Sequence, residues 1–244
     1  MKRVKSATMI LAALALLLGG VGHVRAGVVF SDNFNAGASP LWGNELGNWT
    51  ASGGDYFAQS PNNNPPTYSS LPFNLTNFTF DVDINNVGDG GIWLHSSDQK
   101  NGILLVTGGN GYGAGSRIGD AGTDLYFHVI SNGSVSGEYD RTEFLFTPGS
   151  DIHLHVVVTG EDYFVYLNGS STPTVSLTPS MIAPQDTAAF DSFSSGKVGL
   201  YDFSAQTFDN VVLTSPVPEP STLTLFGLGV VGMAVYGRRR RKRP

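Results

Sequence analysis

Three short stretches of the chain place aromatic or histidine side chains two residues apart, the spacing that puts side chains on one face of a β-strand. Positions between and around them are mostly Ile, Leu, Val or Phe, which suit the buried face. Flat rings stack on sugars, and polar side chains beside them bond to sugar hydroxyls. If the strands lie side by side in one sheet, the sequence predicts an outward glycan-binding face; the alternative is an ordinary wet face of amphipathic residues. The predicted ligand-binding residues are Trp93, His95, Tyr126, His128, His153 and His155.

His153 and His155 also have the spacing with which two imidazoles on one strand can begin a zinc or copper site. Such a site needs two further ligands, which the sequence does not identify. The chain contains no cysteine, which excludes disulfides, thiol catalysis and cysteine-ligated zinc or iron–sulfur sites. It also lacks a Gly-x-Ser-x-Gly nucleophile elbow and a phosphate-binding loop.

The elements that position these side chains are predicted to be β-strands, because apolar and polar residues alternate along the body of the chain. Residues 78–84 show this pattern clearly, and the triplet at 144–146 repeats it briefly. Asn168-Gly169 predicts a hairpin turn after the strand at 163–167, with residues 175–177 as its partner. About ten or more short strands between Gly-, Asn- and Ser-rich turns predict an all-β fold, an antiparallel β-sandwich or jelly roll.

Charge is distributed very unevenly over the 244 residues, whose net charge is −6. Ten of the 14 basic residues lie in the first 25 or the last seven positions, whereas 19 of the 20 acidic residues lie between residues 27 and 215. That body therefore carries 4 basic and 19 acidic residues, a charge of −15. Such a surface repels phosphate backbones, so no nucleic-acid partner is expected.

The N-terminus has the layout of a secretory signal peptide. Three basic residues precede an apolar run from Met9 to Leu18, and Val24-Arg25-Ala26 offers small residues at the positions that a signal peptidase reads. Ten apolar residues are too few to span a membrane of about 30 Å. The sequence therefore predicts a signal peptide over 1–26, cleaved after Ala26.

The C-terminus combines three features: Val217-Pro218-Glu219-Pro220, an uncharged apolar stretch up to Tyr236, and six consecutive basic residues from Arg238. Together they resemble the PEP-CTERM sorting tail of Gram-negative bacteria that make extracellular polysaccharide. The resemblance implies recognition of Pro218, Glu219 and Pro220 by a membrane transpeptidase, an exosortase, which removes the tail so that the body is released or attached in the envelope.

The chain thus divides into an exported body and its sorting segments. The positive-inside rule keeps the basic cluster cytoplasmic and the body outside, so the protein is anchored in the membrane only until processing. The predicted segments are the signal peptide 1–26, a β-sandwich domain 27–215, a linker with the sorting motif 216–221, a transmembrane helix 222–237 and a basic tail 238–244.

Several phrases of the body resemble concanavalin A-like jelly rolls of the laminin-G type. "DNFN", "YFVYLNG" and "GKVGLYDFSAQTFDNVVL" occur in the expected order over residues 28–214. The resemblance implies a structural calcium ion between the first and last strands, at Asp32 and Asp209, since carboxylate oxygens suit calcium. The alternative for both residues is capping or turn bonding.

Related laminarinase-like hydrolases carry a Glu-x-Asp-x-Glu run on one strand, where two carboxylates supply acid and nucleophile. The nearest run here, Asp81-Val82-Asp83-Ile84-Asn85, has no Glu and ends in an amide. We therefore expect a non-enzymatic envelope or matrix protein whose lectin-like sandwich binds extracellular polysaccharide. The alternatives are a structural matrix protein without a ligand and a glycan-processing hydrolase. The negative charge disfavours anionic polysaccharide unless calcium bridges it.

Overall fold

The computed structural model describes residues 25–108 and 123–217. Most of the predicted signal peptide, the Pro218-Glu219-Pro220 motif, the predicted helix 222–237 and the basic tail lie outside these ranges. Within them, no helix is long and apolar enough to cross a membrane. Residues Val28–Ser215 form one compact unit.

Strands account for nearly all regular structure in the two described ranges, beside a 3-10 turn at Pro179–Met181 and the one-turn helix α1 at Thr187–Phe190. In chain order the strands are β1 (Arg25–Asp32), β2 (Trp49–Ser52), β3 (Asp55–Ala58), β4 (Ser69–Ser70), β5 (Asn77–Asn85), β6 (Gly90–Asp98), β7 (Asn101–Thr107), β8 (Leu125–Ser131), β9 (Ser134–Val135), β10 (Tyr139–Thr142), β11 (Ile152–Thr159), β12 (Asp162–Leu167), β13 (Val175–Leu177), β14 (Lys197–Asp202) and β15 (Thr207–Val217).

These strands form two sheets. The first has the order β13-β12-β11-β5-β15-β3-β2, with β1 paired to β15, and the second has the order β10-β8-β7-β6-β14-β4, with β9 paired to β8. Neighbouring strands run antiparallel in both sheets. The predicted all-β antiparallel sandwich is confirmed.

Alternation along β5 places one face of the first sheet in the core. Phe78, Phe80, Val82 and Ile84 are buried, and the residues between them are half-exposed. They pack in one cluster with inward-facing residues of the second sheet such as Leu94. Burial of each such side chain stabilises the fold by about 1.5–3 kcal/mol, so this interface is what joins the two sheets.

The predicted hairpin is present in the first sheet, where Tyr163 pairs with Leu177 and Val165 with Val175. Asn168 and Gly169 have φ of 50° and 75°, the positive values that a tight hairpin turn needs. The connection to β13 is longer than two residues. The strand predicted at 144–146 is wrong, because these residues lie in the connection between β10 and β11.

The second sheet differs from the first in being buried on both faces. Nearly every residue of β6, β7 and β8 is buried, whichever way its side chain points. On the face turned away from the first sheet, a second hydrophobic cluster lies where the sequence predicted an exposed glycan-binding face. Its buried members are Tyr68, Trp93, Leu104, Val106, Tyr126, Ile130, Tyr201 and Phe203.

Candidate functional site

Two of the predicted histidines lie on the accessible face of the first sheet, each paired with a carboxylate. β11 and β5 are in register so that His153 lies opposite Asp83 and His155 opposite Asp81. The distance from His153 Nδ1 to Asp83 Oδ1 is 2.7 Å, and from His155 Nδ1 to Asp81 Oδ1 it is 2.6 Å. His153 Nε2 lies 3.6 Å from Asp81 Oδ1, which links the two pairs. Both carboxylates on the polar face of β5 are therefore paired with imidazoles.

This histidine–aspartate network extends to the strands on both sides. Asn210 of β15 donates from Nδ2 to Asp83 Oδ2 over 2.9 Å. On the other side, the ring of Tyr166 in β12 lies 5.6 Å from the ring of His155. The side chains of His153 and His155 are 41% and 38% exposed, so the network is accessible to solvent.

His95 does not join them, because a β-bulge redirects its side chain. The β6–β7 register shifts between Leu94 and Asp98, and His95 has a φ of 45°. Its ring therefore leaves the face of Trp93 and turns into the sandwich, where Nδ1 lies 2.7 Å from the hydroxyl of Tyr163. Burial lowers the pKa of His95, so the ring is a neutral core residue.

Trp93, Tyr126 and His128 share the outer face of the second sheet, as predicted, but they are buried there at 0%, 0% and 5% exposure. The Trp93 indole packs edge-on against Tyr68, 5.8 Å between centroids. Burial lowers the pKa of His128, and its Nδ1 lies 3.0 Å from the carbonyl of Gly137. The predicted single exposed face of six side chains is therefore wrong: two sheets share them and four are buried.

Arg141, which the sequence did not single out, forms a charged cluster at the edge of this sheet. Its guanidinium donates to Glu138 Oε2 over 2.6 Å and to Asp124, and Nε lies 3.5 Å from Glu143 Oε1. The guanidinium carbon also lies 5.3 Å from the centroid of the Tyr126 ring, a cation–π contact. Hydrogen bonding to Glu138 first, and then the bond to Asp124, raise the pKa of Arg141.

Phe144 lies beside this cluster, and its aromatic ring is exposed to solvent. It is 83% exposed, and its φ of 57° is unusual for a bulky side chain. Its N–H donates to Asp124 Oδ1 over 3.1 Å, which fixes the strained backbone. Burial alone would raise the pKa of Asp124, but hydrogen bonds from Thr123, Phe144 and Arg141 hold it below the usual range.

We refer to Phe144, Arg141, Glu138 and Glu143 as the Phe144 patch. The Phe-Leu-Phe alternation at 144–146 concealed it by suggesting a strand. The signal that points to it in the sequence is Arg141, one of only four basic residues in the body, standing amid Glu138, Asp140 and Glu143. Strained backbone that holds an exposed ring is typical of ligand-binding positions.

The two residues predicted to bind calcium have protein partners. The carboxylate of Asp32 accepts hydrogen bonds from the N–H groups of Phe34 and Ser39 and from the indole of Trp42, at 2.8–3.2 Å. Asp209 accepts from the N–H of Asn210 over 2.6 Å. Turn bonding thus describes Asp32 well. In the described ranges no three His, Asp or Glu side chains are grouped to hold a metal ion, and calcium stays a prediction.

A buried carboxyl group, Asp202, lies at the end of β14. Its exposure is 1%, and its oxygens accept from the N–H groups of Ala58 at 3.2 Å and Ser204 at 2.9 Å. Burial, assisted by the negative charge of Asp89, raises its pKa to about 8. Glycoside hydrolysis needs two carboxyl groups that flank an accessible substrate bond. Asp202 is enclosed, so it serves the fold.

The C-terminal segment matches a known family model over residues 216–241. The match spans Pro218-Glu219-Pro220, the apolar stretch and the first four arginines. This tail is a PEP-CTERM protein-sorting motif. A PEP-CTERM motif implies an exported, envelope-directed protein that an exosortase processes.

Two solved structures resemble the body that precedes the PEP-CTERM motif. One is the carbohydrate-binding module CBM66 from Bacillus subtilis, with 20% identity and a TM-score of 0.54 over 72% of this chain and 96% of the module. The other is a Bacillus subtilis protein of unknown function with a galectin-like fold, with 8% identity and a TM-score of 0.53 over 78% of this chain and 96% of that one. At these identities the likeness establishes a galectin-like fold. Among curated proteins, none matches the chain by sequence.

Proposed function

We propose that this protein is an exported carbohydrate-binding module, sorted to the envelope by its PEP-CTERM tail, that binds extracellular polysaccharide through the Phe144 patch. The observation that carries the proposal is the ring of Phe144, 83% exposed and held in a strained conformation beside charged side chains. The likeness to a carbohydrate-binding module supports the same class of ligand.

The chemistry of the patch suits a sugar ring. An aromatic face packs against the C–H face of a pyranose, and neighbouring polar groups bond to its hydroxyls. Glu138 and Glu143 are 37% and 56% exposed and offer carboxylate oxygens to hydroxyl donors. The hydrogen bond from Arg141 restrains Glu138, so that side chain has less freedom to lose on binding.

The buried aromatic residues have a supporting role in this proposal. Tyr126 lies beneath the guanidinium of Arg141, and His128 and Trp93 pack on the same sheet face. They would position Arg141 rather than contact the sugar, because each is at most 5% exposed. Binding without hydrolysis agrees with the absence of a Glu-x-Asp-x-Glu run in the sequence.

Replacing Phe144 by alanine is expected to lower the affinity for the bound polysaccharide about tenfold, since loss of one stacked ring removes on the order of 1.4 kcal/mol. The measurement is a glycan array, followed by titration calorimetry, on the full-length protein. Phe144→Tyr keeps the ring and should keep binding. Met181→Ala removes another exposed apolar side chain and should change nothing. If the wild type binds no glycan, a structural matrix role replaces this proposal.

The sorting part of the proposal assigns recognition to Pro218, Glu219 and Pro220, with residues 222–237 as a temporary membrane anchor and residues 238–244 in the cytoplasm. Replacing all three motif residues by alanine is expected to leave the tail attached in cells that contain an exosortase. Mass spectrometry of the envelope-associated protein would measure this as retention of about 2–3 kDa, since 25.9 kDa over 244 residues is about 106 Da per residue. Normal processing of the variant would remove the motif from the proposal.

A further inference from the structure

The accessible face of the first sheet presents a second, separate set of groups suited to sugars. His153, His155, Asp81 and Asp83 are held to one another at 2.6–2.7 Å through the Nδ1 atoms of the imidazoles. Because each bond uses one nitrogen and one oxygen, further acceptor positions remain on the carboxylates, and Nε2 remains on His155. Polar side chains that are already fixed in this way lose little conformational entropy when they bind sugar hydroxyls.

Two aromatic side chains lie beside this network on the neighbouring strand. Phe164 and Tyr166 of β12 are half-buried, and they lie opposite Val157 and His155 in the register of β11. They are two residues apart, so they follow one sheet face at a spacing of about 7 Å. Rings next to a rigid polar network are the combination that carbohydrate sites use.

The charge of this face restricts its ligand. The four strands that carry the groups, β12, β11, β5 and β15, contain no Lys or Arg. They contain four acidic residues: Asp81 and Asp83 on β5, Asp162 on β12 and Asp209 on β15. No Lys or Arg on these strands neutralises an anionic sugar, and the body as a whole carries −15. Uncharged or amino-bearing glycans fit this surface, and polyuronates are repelled from it.

This surface and the Phe144 patch belong to different sheets of one sandwich. The network lies in the middle of the first sheet, on β5 and β11, whereas Arg141 lies on β10, the edge strand of the second. No hydrogen bond or ion pair among the described residues joins the two sets, so occupation of one leaves the other available.

We propose that the exposed face of the first sheet, built on His153, His155, Asp81 and Asp83, is a second carbohydrate-binding surface for neutral or amino-bearing polysaccharide. One molecule then holds two polysaccharide chains and cross-links them. This inference rests on the proposed function, because it needs the Phe144 patch as the first surface.

Cross-linking and binding are measured separately, which keeps the two proposals distinguishable. Full-length protein is mixed with a soluble neutral glucan, a partly deacetylated polyglucosamine and a polyuronate, and each mixture is followed by light scattering. Calorimetry with short oligosaccharides of the same sugars gives the number of sites per chain. We expect scattering to rise with one or both of the first two polymers and not with polyuronate, and we expect two sites per chain.

The variant His153→Gln/His155→Gln should lose the rise in scattering and retain the Phe144 patch as its one site per chain. Phe144→Ala should retain the histidine site at full affinity, bind about tenfold more weakly at the patch and show a smaller rise in scattering. The retained site shows that each variant is folded. Glu161→Ala, in the turn after β11, is the control and should cross-link normally. One site in the wild type, with no effect of the histidine substitutions, overturns the second surface alone. Absence of binding to all three sugars overturns both proposals.

Discussion

Replacing Trp93 by alanine is expected to lower the free energy of unfolding by about 3–5 kcal/mol, the range for truncating a buried tryptophan. The indole is 0% exposed, packs edge-on against Tyr68 and donates from Nε1 to the carbonyl of Thr67 at 3.4 Å. Its removal leaves a cavity in the second hydrophobic cluster and takes the indole donor away from the carbonyl of Thr67. Urea denaturation of the full-length protein, followed by tryptophan fluorescence, measures the change.

Two variants separate this structural effect from a direct role in binding. Trp93→Phe keeps most of the buried volume and should recover more than half of the lost stability. Phe144→Ala should change the free energy of unfolding by less than about 0.5 kcal/mol, because that ring is exposed. If the Trp93→Ala protein were as stable as the wild type but bound no sugar, Trp93 would have a direct role in sugar binding.

The second large effect is a loss of stability as pH rises from about 6.5 to 8. Asp202 keeps its proton in the folded protein up to about pH 8, whereas the unfolded chain ionises near 3.8. Its contribution is therefore complete below pH 3.8 and is lost as pH rises through 8. His95 and His128, whose pKa values are lowered, act in the opposite direction but only below about pH 6.5.

Above pH 6.5 the two histidines no longer oppose it, and ionisation of Asp202, with a linkage slope of about 1.4 kcal/mol per pH unit, gives a loss of about 2 kcal/mol. Urea denaturation at half-unit intervals from pH 6.5 to 8.5 would show it. Asp202→Asn carries no titrating proton, so its profile should be flat over the same interval even if its stability is lower. Equal slopes in the two proteins would mean that another group is responsible.

The fold class was predictable because each strand and turn is specified by a pattern of neighbouring residues in the sequence. Alternation at residues 78–84 identified β5 and its buried face, and the positive-φ turn at Asn168-Gly169 identified the β12–β13 pair. Period-two patterns report which side chains share a face of one strand. They do not report which sheet receives the strand, and here β11 joined the first sheet while β6 and β8 joined the second.

The candidate site was predictable only in part for the same reason. A single bulge at His95 reversed the direction of its side chain, and bulges leave little trace in a periodic pattern. The burial of Trp93 and Tyr126 depends on packing over the outer face of the second sheet, which no strand sequence encodes. Phe144 was missed because its position depends on a long-range bond to Asp124, 20 residues earlier.

Burial of the second sheet on both faces has a consequence for the lifetime of the folded protein outside the cytoplasm, where refolding by ATP-driven chaperones is unavailable. From this burial we expect amide hydrogens of β6, β7 and β8 to exchange with water only when the whole sandwich opens, and those of the outer strands to exchange by local opening. A protease can cleave β6, β7 or β8 only after the same opening of the sandwich. Burial of this sheet on both faces thus gives the cysteine-free protein resistance to unfolding and proteolysis. Small exported domains often obtain the same resistance from disulfides.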